Sequence, residues 1–269
     1  MYVNSGRGNM KKLVVMRRCS QGVFFALFLF VSIFPFNRVL SSGVFSSTDP
    51  LLIMSLSIAE KAVQPFLIIT LGMIFSVFLA GRFFCGWICP LGTLVDAAGM
   101  FAEKKRAAKN KTGHARYIKF FVLAAVFISA FFGGGLVWFF DPLIIMDRFI
   151  LFFNGQVKDV FAISVTVVLF LSVFMTIFLA PRFWCRNICP LGAIYAIVSK
   201  FSLLARRVKG ACRNCGKCES VCRMGAIKPD ADYRKEECVL CMDCIYDCPD
   251  HITDFAWNIK KIFTKRIRE

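Results

Sequence analysis

Histidine is nearly absent. The 269-residue chain holds two, His114 and His251. Neither lies in a long apolar run, so a bis-histidine haem inside a bilayer is excluded. No G-x-G-x-x-G follows a strand-like run, and no P-loop or flavin-attachment pattern occurs, which leaves nicotinamide and nucleotide binding without a motif. Acidic residues are scarce as well: 17 Asp and Glu stand against 34 Lys and Arg. Polar residues are too few to cover a soluble globule, since 57% of the chain is apolar and the mean hydropathy is +0.62. High apolar content and a net charge of +17 are compatible when the apolar residues sit in lipid and the charge sits in loops and a separate soluble segment.

Four stretches are long and apolar enough to cross a bilayer core of ~30 Å, which takes roughly 20 residues. They fall near 19–36, 62–80, 118–140 and 160–180. Basic residues precede the first, as in a signal peptide, but no small-x-small cleavage site follows, so an uncleaved span is expected. Lys and Arg then set the orientation. The segments 1–18, 81–119 and 181–269 hold 30 of them, and the loops 37–61 and 141–159 hold only 4. Both termini are therefore expected in the cytoplasm, with those two loops outside. The basic charge needs no nucleic acid; it orients the chain and faces anionic lipid headgroups or an acidic partner.

Residues 78–92 read FLAGRFFCGWICPLG, and one hundred positions later residues 178–192 read FLAPRFWCRNICPLG. The outer loops match too, with DPLLIM at 49–54 and DPLIIM at 141–146. Each half reads as a span, an outer Asp-Pro-Leu turn, a second span and an inner Cys-x-x-x-Cys-Pro. An even number of spans per half makes a parallel repeat about an axis along the membrane normal. That symmetry carries Cys85, Cys89, Cys185 and Cys189 toward one axis, where four thiols suit a metal or redox site. A single Cys-x-x-x-Cys could equally be a helix-end packing element or a thiol pair, because i and i+4 merely share a face. The Pro would end a helical turn and the Gly would admit close backbone approach.

The strongest pattern is the tail. Residues 212–222, CRNCGKCESVC, and 238–249, CVLCMDCIYDCP, each give C-x₂-C-x₂-C-x₃-C, the two-cluster bacterial ferredoxin run in which the fourth cysteine serves the other cluster. Cys212, Cys215, Cys218 and Cys248 are thus expected to hold one [4Fe–4S] cluster, and Cys238, Cys241, Cys244 and Cys222 the second. Zinc sites favour two Cys-x-x-Cys pairs instead. Arg223 stands where the usual pattern has Pro after the fourth cysteine. With Arg213 and Lys217 it either raises the cluster potential or serves topology or a partner. Asp49, Asp141 and Asp96 are candidate proton acceptors for quinone chemistry, although capping explains the two Asp-Pro pairs equally well. Trp87 and Trp184 read either as interfacial anchors or as quinone-pocket walls. Cys19 reads as a small buried residue.

The expected fold is mainly α. A basic cytoplasmic N-terminus (1–18) leads to a first transmembrane hairpin (19–100), a basic cytoplasmic loop (101–117) and a second hairpin (118–205). Together the hairpins make a four-helix transmembrane bundle. A small α+β two-cluster ferredoxin domain (206–255) and a basic tail (256–269) follow.

These spans, the two Cys-x-x-x-Cys-Pro motifs and the C-terminal cysteine runs together resemble the NapH group of ferredoxin-type quinol dehydrogenases, within a superfamily that includes the NosR and CcoG types. The likeness extends from residue 17 to about 255, and length favours the NapH type. It implies a multi-pass inner-membrane subunit. Such a subunit passes electrons from membrane quinol toward a terminal reductase, as in periplasmic nitrate reduction, with iron–sulfur or cytochrome subunits as partners. The alternative is an assembly or maturation factor that supplies electrons or handles metal for another metalloenzyme.

Overall fold

The computed structural model describes residues 7–33, 49–62, 64–101, 114–153, 160–179, 182–208, 212–227, 233–250 and 252–257. In the first repeat a long helix α1 (Arg7–Ile33) is followed by α2 (Pro50–Glu60), α3 (Leu67–Ala80), the five-residue α4 (Phe83–Trp87) and α5 (Pro90–Phe101). In the second, a 3₁₀ turn at His114–Tyr117 leads into α6 (Ile118–Phe131), then α7 (Val137–Phe140), α8 (Pro142–Phe153), α9 (Val160–Leu179), α10 (Phe183–Asn187) and α11 (Pro190–Ser199). The two repeats therefore share their order of elements as well as their motifs.

Among the described residues one helix, Lys12–Ile33, is long and apolar enough to cross a membrane, with 22 residues and a mean hydropathy of 1.6. Shorter apolar helices occupy Leu67–Ala80 and Ile163–Met175. The stretch expected as a span at 118–140 breaks at Phe131, where Gly133, at φ 75°, and two further glycines open the helix. Glycine there needs no strained backbone to turn left-handed.

The outer Asp-Pro-Leu segments, expected as outer turns or helix caps, are the N-termini of buried helices, capped by Asp49 and Asp141. Asp49, Pro50, Leu51, Leu52 and Ile53 are buried, and so are Asp141 through Met146. Helices of eleven and twelve residues are too short to cross a bilayer, yet they suffice to insert between longer helices. The halves interleave: α2 packs on α6, α11 packs on both α6 and α3, and α8 packs on α1 and α5. One continuous core results, built from Leu51, Val77, Phe84 and Leu91 of the first half and Leu143, Ile145, Leu191 and Tyr195 of the second. Cys19, expected to be buried, is exposed on α1.

The cysteine-rich tail is a small domain closed by a two-stranded antiparallel sheet. Strand β1 (Leu204–Val208) pairs with β2 (Thr253–Trp257) in the register Leu204↔Trp257 to Val208↔Thr253. The pairing straddles the boundary expected at 205/206 and joins the start of the tail to its end. Between the strands lie α12 (Lys217–Ser220) and α13 (Asp243–Tyr246), over a core of Cys222, Ala226, Ile227, Cys244 and Ile245.

Candidate functional site

The two tail runs fold alike because their backbones turn at equivalent places. Asn214 and Gly216 have φ of 49° and 72°, and Leu240 and Met242 have φ of 53° and 64°. Left-handed residues alternating with ordinary ones aim successive N–H groups into one concavity, which suits an anionic centre. Cys212, Cys215, Cys218 and Cys248 line one cavity, and Cys222, Cys238, Cys241 and Cys244 line another. Each cavity is lined by three cysteines of one run and the last cysteine of the other. Among the described residues no three Cys, His, Asp or Glu side chains converge on a single metal ion. The thiols of each set line a common cavity, a lining that could hold a cubane in which every thiolate binds a different iron.

Burial pushes the Cys238 thiol up to about 11, with the Leu240 N–H opposing it and Cys222 adding to it, and Cys241 and Cys244 are pushed higher still. Thiolates at Cys238, Cys241 and Cys244 therefore need a bound cation to be stable there. The Ala226 N–H donates to Cys222 Sγ at 3.2 Å.

A third ring lies between the two repeats. Cys85, Cys89, Cys185 and Cys189 are each at most 9% exposed, and they lie within electrostatic reach of one another. The repeated Cys-Pro-Leu-Gly explains its own geometry. Cys189 is the N-cap of α11, Pro190 occupies the first turn, and Cys189 Sγ accepts from the Gly192 N–H at 3.3 Å. The preceding short helices end at Trp87 and Asn187, as expected before a proline, and the proline also starts the next helix, where its missing N–H costs nothing. A Cβ on Gly92 would come within 2.6 Å of the Cys85 carbonyl oxygen, and one on Gly192 within 3.1 Å of the Cys185 carbonyl oxygen. Glycine is required at both.

Two arginines cross between the repeats. Arg182, three residues before Cys185, donates to the Cys85 carbonyl at 3.1 Å and pairs with Asp96 through Nε at 2.8 Å and Nη2 at 2.6 Å. Arg82, three residues before Cys85, reaches the Cys185 carbonyl at 3.5 Å and Glu237 at 3.0 Å. Lys119 also pairs with Glu237, at 2.5 Å. Both arginines are at most 1% exposed. Two buried guanidinium groups beside four thiols supply the positive charge that an anionic centre needs. Sequence reasoning missed them, although both stand at matching positions of the repeat.

Asp96 is not an accessible proton acceptor. Besides Arg182 it accepts from Gln21 at 2.9 Å, and it pairs with Arg17 at 3.5 Å and Arg223 at 3.4 Å. Burial alone would raise its carboxyl; the Arg182 guanidinium, aided by Arg223 and Arg17, outweighs burial and holds it well below the usual range. Arg223, which replaces the usual Pro, also reaches Asp243 at 3.3 Å. It fastens the tail domain to the first repeat. Arg213 is exposed and pairs with Asp250.

Trp184 is buried at 5% exposure, and Trp87 Nε1 donates to the Leu240 carbonyl at 3.0 Å. That bond brings the loop 238–241 onto α4. A Cβ on Gly86 would stand 2.2 Å from the Val239 carbonyl oxygen, so Cys85 and the cysteines of the second tail ring are carried by backbones in direct contact. Gly86→Ala is expected to destabilise the protein by about 1–3 kcal/mol through overpacking, read as a lower melting temperature. It should also make 238–241 more open to amide exchange. His114 lies in the 3₁₀ turn, while His251 and the segments 102–113 and 258–269 lie outside the described residues.

A cavity of about 530 Å³ opens where α6, α11 and the tail meet, lined by Arg116, Tyr117, Phe120, Lys200, Phe201 and Glu237 among others. None of the quinone candidates read from the sequence lines it.

A family described as "4Fe-4S binding domain" matches residues 63–109 and 161–209, the two repeats that carry Cys-x-x-x-Cys-Pro. "Methylamine utilization ferredoxin-type protein MauN" of Methylorubrum extorquens is 32% identical over 67% of this chain and 61% of its own length. The chain thus spans about three fifths of that relative. "Ferredoxin-type protein NapH" of Haemophilus influenzae is 25% identical over 91% of this chain and 90% of its own. The NapH of Escherichia coli is 25% identical over 89% and 87%. No solved structure matches the chain.

Proposed function

The chain is a member of the NapH-type ferredoxin family, and from that membership we propose that it is a multi-pass inner-membrane electron carrier. It takes electrons from membrane quinol and passes them toward a terminal reductase such as that of periplasmic nitrate reduction. The observation that carries this reading is the contact series of three cysteine rings. The ring between the repeats touches the second tail ring through Gly86 and Trp87, and the second tail ring shares the small domain with the first. Cys85, Cys89, Cys185 and Cys189 would hold one centre. Cys238, Cys241, Cys244 and Cys222 would hold a [4Fe–4S] cluster, and Cys212, Cys215, Cys218 and Cys248 another. Bound there, such clusters supply one-electron transfer. The protein's own residues bury the ring between the repeats, set Arg82 and Arg182 beside it, and keep the rings in contact.

Embedding in lipid is supported by the outward faces of four helices. Val23 on α1, Ile68 on α3, Phe121 on α6 and Val168 on α9 are 65%, 81%, 75% and 64% exposed. Soluble proteins seldom present so much apolar surface. The positive-inside distribution puts both termini and the tail domain in the cytoplasm. Iron–sulfur or cytochrome subunits would then accept the electrons. The 530 Å³ cavity is our candidate seat for the quinol headgroup. It lies within the usual size range of ligand sites and combines aromatic walls with convergent cations, and its Glu237 pairs with Arg82, which reaches the Cys185 carbonyl.

The test is quinol-driven reduction of the anaerobically purified protein, followed by loss of cluster absorbance. Ile197→Trp, on the wall of the cavity, should weaken quinol-driven reduction about tenfold, equivalent to 1.4 kcal/mol of lost contact. Reduction by dithionite should be unchanged. Failure of any quinol to reduce the wild-type protein, with a partner metalloenzyme inactive when this chain is deleted, would favour the maturation role instead.

A further inference from the structure

Away from the cysteine rings, the interior holds a pair of carboxyl groups that capping does not fully explain. Asp49 and Asp141 open the equivalent helices α2 and α8 and are 1% and 0% exposed. Each uses one oxygen as a cap. Asp49 Oδ1 accepts from the Leu51 N–H at 2.9 Å, and Asp141 Oδ1 accepts from Leu143 at 2.9 Å and Ile144 at 3.4 Å. Each leaves Oδ2 with no hydrogen-bond partner among the described residues, and the two carboxyl groups act on one another. Two neighbouring carboxyl groups buried this completely cannot both carry charge cheaply, so one of them keeps its proton.

The groups acting on the pair are each other and the backbone N–H groups of Leu51, Leu52, Leu143 and Ile144. Neither a lysine nor an arginine is among them. From α11, Tyr195 turns toward the same place. It is 0% exposed, its hydroxyl has no partner, and the charged groups acting on it are Asp49, Cys85, Cys89 and Asp141, in that order. Its ring packs edge-on against Phe84, the neighbour of Cys85, with centroids 5.7 Å apart. Tyr195 therefore stands between the carboxyl pair and the thiol ring.

We propose that Asp49 and Asp141 form a proton site, holding one shared proton and taking a second when the centre held by Cys85, Cys89, Cys185 and Cys189 gains an electron. This rests on the reading of that ring as a redox centre. The electron makes the centre one unit more negative, and the proton carries the pair from a net charge of −1 to neutral. The buried charge is then unchanged, which matters in an interior where an unbalanced charge is costly. A quinol that supplies the electron also releases the proton, so no further reactant is consumed.

The experiment is a redox titration of the purified holoprotein across neutral pH, with infrared spectra of the carboxyl region and iron counts on the same samples. The midpoint potential of the four-cysteine centre should fall by about 59 mV per pH unit, the one-electron equivalent of a tenfold change in proton concentration. The slope should vanish in Asp49→Asn and in Asp141→Asn. Asparagine caps a helix as well as aspartate does, so unchanged iron content would certify an intact fold. A protonated-carboxyl band should be present at neutral pH in the wild type and lost in either variant. A pH-independent wild-type potential, or a slope that persists in both variants, overturns the coupling. Absence of the band overturns the shared proton. An iron count without the third centre removes the premise, and the count identifies that failure apart from the other two.

Discussion

In the quadruple variant Cys85→Ser, Cys89→Ser, Cys185→Ser and Cys189→Ser, iron per chain falls from about twelve atoms to about eight, with acid-labile sulfide falling in step. The expectation follows from what surrounds these thiols. They come from both halves of the repeat, they are buried, and each half contributes an arginine to the other half's first cysteine carbonyl. A packing role would need none of this charge. A thiol–disulfide pair would need two sulfurs, and four are gathered. The measurement is an iron and sulfide assay on anaerobically purified protein. An unchanged count near eight would return the repeated motif to a thiol or packing role.

The grouping of the tail cysteines into two cavities was legible in the sequence because three closely spaced residues of one run stay together and the last of the other run lies beside them. The repeat was legible for the same reason, and Gly92 and Gly192 do admit the close backbone approach expected of them. What hydropathy could not reveal is the fate of Asp-Pro-Leu. A segment of eleven residues reads as a loop when only runs near twenty count as spans, so the burial of α2 and α8 is visible only in tertiary structure. Long-range ion pairs were hidden too. Arg82 and Arg182 lay within the repeated stretch at matching positions, and that coincidence was the available signal. Their partners Glu237 and Asp96 are 155 and 86 residues away, and nothing local marks them. Arg223 looked like a defect in a ligand run because the residue it answers, Asp96, belongs to the other domain.

Asp96→Asn is expected to destabilise the protein by about 3–5 kcal/mol, the cost of leaving buried charge unpaired. The substitution keeps the size of the side chain and its ability to accept from Gln21. What it removes is the counter-charge to Arg17, Arg182 and Arg223, which are 1%, 1% and 17% exposed by side chain. The effect is larger than for an exposed pair such as Arg213–Asp250, where Arg213 is 79% exposed by side chain and truncation should cost no more than ~1 kcal/mol. The sign with pH follows from the carboxyl being held below its ordinary value. Its contribution is complete above the usual carboxylate range, and it is lost only as pH falls through the lowered folded value. Wild-type stability near neutrality should therefore be flat with respect to this group, and the deficit of the variant should be constant there. Thermal unfolding in detergent, followed by helical circular dichroism, gives the magnitude. Because Asp96 joins α1, α5, the Arg182 that precedes α10 and the tail domain through Arg223 at one point, the tail should loosen before the helices melt. Amide exchange at 238–246 would then rise at temperatures where α3 and α11 stay protected. A variant that melts as the wild type does, with protection unchanged at 238–246, would mean the tail is held by the Gly86 and Trp87 contacts alone.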